Sequence, residues 1–108
     1  MSEQPIHVLL VEDDLDHSKM IQWTLQRQSP PVRVTAVPRG EDCLKMLRRN
    51  SYAAVFLDYN LPGMDGLAVL REIRQRGLQI PIIMVTGQGD ERVAVEAIKR
   101  GASDYLIK

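Results

Sequence analysis

Three short apolar runs constrain this chain more than any other feature. IHVLLV (6–11), AAVFL (53–57) and PIIMVTG (81–87) are almost unbroken by polar residues. A strand with one wet face alternates apolar and polar residues, so an unbroken run fits a strand covered on both faces. Such strands need a layer on either side, and the segments between them have helical period. Residues 15–28 turn Leu15, Met20, Ile21 and Leu25 toward a core. Residues 40–49 turn Cys43, Leu44 and Leu47 inward, 67–74 turn Leu67, Leu70 and Ile73, and 90–100 turn Val93, Ala94, Ala97 and Ile98. Gly77 and Gly101 stand just past the last two helices, where a closing glycine is favoured. VRVTAV (32–37) alternates like an edge strand, and SDYLIK (103–108) is a fifth, weaker strand. Strict β-α alternation predicts an α/β, doubly wound, mostly parallel sheet with helices on both faces and right-handed crossovers.

The 108 residues fit one domain with one core. Lys plus Arg equals Asp plus Glu at 14 each, and without a basic excess nucleic acid is not the default partner. A single cysteine, Cys43, excludes an internal disulfide and a cysteine-based zinc site; at an apolar helix position it reads as buried filler. The start MSEQPIHVLLVEDD has no basic leader, and its six-residue apolar run is too short for a signal peptide or a membrane span. A cytoplasmic protein is expected.

In doubly wound sheets ligands bind beyond the carboxyl ends of the strands. Glu12-Asp13-Asp14 follow the first strand, Asp58 ends the third, Thr86-Gly87-Gln88 follow the fourth, and Lys108 ends the fifth. Carboxylates crowded together raise one another's pKa unless a cation intervenes. Magnesium takes carboxylate and phosphate oxygens, so Glu12, Asp13 and Asp58 imply a divalent cation, Mg2+ or Mn2+. Lys108 adds a charge able to pair with Asp58 or a phosphoryl oxygen, and Thr86 adds a hydroxyl. Those parts suit phosphoryl transfer, which needs an in-line oxygen nucleophile and neutralised equatorial oxygens.

VLLVEDD, LDYNLPGMDG, MVTG and GASDYLIK, in that order over nearly the whole chain, resemble the response-regulator receiver domain of two-component signalling. The resemblance implies a flavodoxin-like sheet of order 2-1-3-4-5. It implies that Asp58 is the phosphoacceptor, that Glu12, Asp13 and the Asn60 backbone carbonyl join Asp58 around the metal, and that Lys108 pairs with the phosphoryl group. Thr86 and Tyr105 take the switch roles: the hydroxyl moves in and the aromatic ring fills the vacated space. The implied partner is a sensor histidine kinase or a histidine phosphotransfer protein, meeting the first-helix face around Leu15, Ser18, Lys19 and Gln22. Homodimerisation stays open. Asn60 and Gln88 occupy the positions that influence phosphoryl lifetime in this family.

Bland alternatives exist residue by residue. Asp13 or Asp14 could cap the first helix, Asp58 could open an Asx-turn, and His7 and His17 read as structural or surface residues. A dehalogenase-type phosphatase needs a second aspartate two positions past the nucleophile, where this chain has Asn60. A flavin or dinucleotide site lacks its glycine-rich loop after the first strand. A receiver-like interaction module that is never phosphorylated would need none of the cluster. Receivers usually continue into a fifth helix; 1–108 therefore reads as a receiver truncated before that helix, a fragment of a longer regulator. Val8, Leu10 and Leu106 are then expected to lie exposed.

Overall fold

The computed structural model describes residues 6–108. Residues 1–5, which carried the reading of a leader-free start, lie outside the described residues. The order is β1 (Ile6–Val11), α1 (Leu15–Gln26), β2 (Val32–Val37), α2 (Gly40–Arg49), β3 (Ala54–Asp58), α3 (Gly66–Gln75), β4 (Ile82–Thr86), α4 (Glu91–Lys99) and β5 (Asp104–Ile107). The five strands form one sheet of order β2-β1-β3-β4-β5, and each neighbouring pair is parallel. Gly77 and Gly101 adopt left-handed φ values of 78° and 109°, closing α3 and α4 as their positions predict.

Register explains the two layers. Val11 pairs with Leu57, which pairs with Met84, so Leu9, Val11, Val55, Leu57, Ile82 and Met84 share one face. All six are fully buried against Cys43 and Leu44 of α2, Val69, Leu70 and Ile73 of α3, and Ala97 of α4. Burial pushes the Cys43 thiol up to about 12, so it stays an inert apolar filler. Val8, Leu10, Val85 and Leu106 lie on the opposite face. Here α1 packs along β2, and none of its described side chains joins the cluster just named.

Several expectations about burial need correcting. Val8 and Leu10 are buried, because β1 is flanked by strands on both sides and α1 packs alongside. Leu106, on the edge strand β5, is 50% exposed as expected. On α1 the inward stripe runs through Ser18, Ile21 and Leu25, so Leu15 and Met20 face outward together with Trp23. A small serine at the closest approach rotates the helix relative to its most apolar residues. Ile98 of α4 is likewise exposed.

Arg74, near the end of α3, ties distant loops together. Its Nη1 donates to the carbonyls of Leu78 and Ile80 at 2.8 and 2.9 Å, while Nε and Nη2 both reach the Gly101 carbonyl at 3.0 and 2.8 Å. Partial burial lowers the guanidinium pKa, but the group stays charged at any physiological pH. Arg74→Met keeps the aliphatic stem and strands those carbonyls. A loss of about 2 kcal/mol is expected, seen as a lower urea midpoint at unchanged slope. An unchanged midpoint would show that water replaces the guanidinium at no cost.

Candidate functional site

Ladder hydrogen bonds carry the polar residues to one pole of the sheet. The Glu12 N–H donates to the Val37 carbonyl at 3.0 Å, Tyr59 N–H to Val85 at 2.9 Å, and Lys108 N–H to Thr86 at 2.7 Å. Each strand is thus held by its neighbour up to its last residue, and the next side chain projects at the sheet edge. Asp14 then starts α1: its Oδ1 accepts from the His17 N–H at 3.0 Å. This bond lowers the Asp14 pKa, and Asp14 is the cap that the bland reading assigned.

One ligand oxygen each from Glu12, Asp13 and Asp58 falls within a 4.8 Å cluster. Glu12 and Asp58 are buried, whereas Asp13 is exposed at the rim. Lys108 Nζ lies 3.0 Å from Glu12 Oε1 and 3.1 Å from Asp58 Oδ1. Among the described residues, charge attraction to this shared ammonium is what holds the two carboxylates. Burial first, then the Glu12 charge, raises the Asp58 carboxyl to about 6 against the opposing pull of Lys108. For Lys108 burial works downward, but its contacts with Glu12 and Asp58 outweigh that and raise its pKa.

Two buried carboxylate oxygens without aligned donors, beside an exposed third carboxylate, form a hard-oxygen set open to solvent on one side. That set fits magnesium, which takes few protein carboxylates and keeps waters or phosphate oxygens. Asn60 is exposed two residues past Asp58. Thr86 is fully buried with its Oγ1 unpartnered. Tyr105 pairs in register with Met84, which puts it on the sheet face of Thr86, and its ring is exposed. Ser18, expected on a partner surface, is instead buried, and its hydroxyl accepts from Gln22 Nε2 at 3.0 Å.

Two features of the site escaped the sequence. His17 Nδ1 lies 3.4 Å from Lys108 Nζ, although 91 residues separate them. Only its place three residues after the cap hinted at nearness to the strand ends. Gly66, the first residue of α3, backs onto the end of β3: its N–H donates to the Tyr59 carbonyl at 2.8 Å. His7, by contrast, is structural, with Nε2 2.7 Å from Thr35 Oγ1 and its ring edge-on to Tyr52.

A carboxylate-lined pole on a doubly wound sheet serves several classes of protein, and comparison with known proteins separates them. The family model for the response regulator receiver domain matches residues 8–108, and the chain belongs to that family. It is similar to the transcriptional regulatory protein ZraR of Escherichia coli K12, 34% identical over all 108 residues but only 24% of that protein. The transcriptional regulatory protein AfsQ1 of Streptomyces coelicolor is 40% identical over 101 residues, 94% of this chain and 44% of the relative. The chain thus spans less than half the length of these curated relatives. Among solved structures, a putative response regulator from Chloroflexus aurantiacus superposes with a TM-score of 0.90 at 33% identity, covering 97% of this chain and 86% of that one. The receiver domain of NtrX from Brucella abortus gives 0.86 at 31%, covering 94% and 84%. The sheet order and helix placement are those of this signalling family. Among the described residues no helix is long and apolar enough to cross a membrane.

Proposed function

We propose that residues 1–108 act as a phosphoacceptor module in the cytoplasm, with Asp58 taking a phosphoryl group from a phosphohistidine on a sensor kinase or histidine phosphotransfer protein. The observation that carries this reading is the buried Asp58 carboxylate, flanked by Glu12 and Lys108 with Asp13 at the open rim. An Asp58 oxygen attacks phosphorus in line; the P–N bond breaks, and the donor imidazole leaves with the electron pair. Bound Mg2+ (or Mn2+), held by Glu12, Asp13, Asp58 and the Asn60 carbonyl, would neutralise the transferred oxygens. Lys108 turns from the carboxylates to a phosphoryl oxygen. The Thr86 hydroxyl, buried without a partner, gains an acceptor when it moves toward the new group, and Tyr105 follows on the same sheet face. No external metabolite is turned over.

The phosphodonor is proposed to dock on the outward side of α1, where Leu15 and Lys19 are exposed beside Met20 and Trp23, and Gln22 is half-buried. Arg27 lies over the Trp23 ring, 4.2 Å from its centre, and adds a cation to that apolar surface.

Intact mass after incubation with acetyl phosphate tests the chemistry. One phosphoryl adduct is expected with magnesium, none with chelator, and none in Asp58→Asn. An adduct that persists in the variant would move the acceptor elsewhere. Folded wild-type protein without an adduct would leave an interaction module as the function.

A further inference from the structure

We propose that His17 is a positioning residue that orients the Lys108 ammonium in the phosphoryl site, an inference that rests on the phosphoacceptor reading above. Lys108 reaches Glu12 and Asp58 at 3.0 and 3.1 Å, an ammonium shared between two carboxylates. Among the described residues, its Nζ also lies within hydrogen-bond reach of His17 Nδ1, at 3.4 Å. Coulomb attraction to two carboxylates holds an ammonium near them without selecting its orientation. A directional acceptor on one side does select it, and an ammonium offers three donors for such a choice.

The imidazole is itself well placed to act as a fixed post. The His17 N–H is held by the Asp14 cap, so the backbone under the ring is set by the start of α1. The ring is part-exposed at the rim, with Nδ1 3.9 Å from Asp14 Oδ1 and nearer to Lys108. Accepting from Lys108 requires a lone pair on Nδ1 and the ring proton on Nε2. A contact from α1 keeps the ammonium beside Glu12 and Asp58, where the transferred oxygens must arrive. That preorganisation contributes to the transfer step.

Phosphorylation rates with acetyl phosphate and saturating magnesium are to be compared for wild type, His17→Ala and His17→Asn, each checked for folding by thermal melting. Asn presents an oxygen near the Nδ1 position, so it keeps an acceptor without the ring. The expected result is a rate about three- to tenfold lower in the alanine variant, the worth of one directional hydrogen bond, with most of the loss restored by asparagine. The Lys108 ammonium 1H–15N signal in unphosphorylated protein should shift in His17→Ala and return toward wild type in His17→Asn. Equal rates and an unmoved lysine signal in all three proteins would overturn the positioning role and leave the phosphoacceptor reading intact. A faster alanine variant, or an asparagine variant as slow as alanine, overturns it too. Wild-type protein that takes no phosphoryl group fails the underlying reading instead.

Discussion

In metal-free buffer at pH 7, Asp58→Asn should be more stable than the wild-type chain by about 3 kcal/mol, and the difference should vanish near pH 4. The folded carboxyl titrates at about 6, against an ordinary aspartate value of 3.8. Between those values the folded state holds a proton that the unfolded state has released, so stability falls as pH rises through that window. A gap of about two pH units at ~1.4 kcal/mol each sets the magnitude. Below 3.8 both states are protonated and the neutral carboxyl resembles the carboxamide. Urea titrations of the two proteins between pH 4 and 7 measure the effect directly. Parallel pH profiles would mean that Lys108 fully compensates the burial and the Glu12 charge. Adding magnesium should close the gap from the wild-type side, by about 2.7 kcal/mol at a hundredfold excess over its dissociation constant. A site that is electrostatically uncomfortable when empty is one that a cation fills with gain.

Gly66→Ala should be the most damaging single methyl in the molecule. A Cβ at this position would lie 2.5 Å from the Asp58 carbonyl oxygen and 2.8 Å from the Tyr59 Cα, both backbone atoms that cannot step aside like a side-chain tip. Overpacking of this kind costs about 3 kcal/mol, and a melting temperature lower by on the order of 15 °C is expected for a domain of this size. Because the clash falls on the backbone of Asp58, the proposed acceptor, magnesium affinity and phosphorylation rate should fall with stability. Gly87→Ala is the control. Its Cβ would meet only Asp90 Oδ2 at 3.7 Å, an ordinary contact, so melting should hardly move. Equal melting temperatures for the two variants would show that the loop after β3 yields freely.

Both predictions turn on a pole that was largely visible in the chain itself. Strand ends can be read where apolar runs stop, and the rule that ligands gather beyond those ends made Glu12, Asp13, Asp58, Thr86 and Lys108 the residues to inspect. The register then delivers Glu12, Asp13, Asp58 and Lys108 to one cluster. Helix faces were less legible where a polar residue did the packing. Ser18 occupies the inward position of α1, although apolar period points to Leu15 and Met20 and the family resemblance puts Ser18 on a partner surface. Val8 and Leu10 are buried as the unbroken apolar run of β1 implies; the expectation that fails is that of an uncovered face.

The amino-acid sequence by itself determined the strand and helix order, the parallel doubly wound sheet and which polar residues stand at the strand ends. It does so because periodicity and turn residues act over a few positions, and strands buried on both faces admit few topologies. Only the tertiary structure decided which of those residues touch. His17 meets Lys108 across 91 positions, Arg74 meets the Gly101 carbonyl across 27, and Gly66 lies against the backbone of Asp58. Such contacts are set by the angles at which helices settle on the sheet, and those angles come from packing the whole core at once rather than from any segment of it.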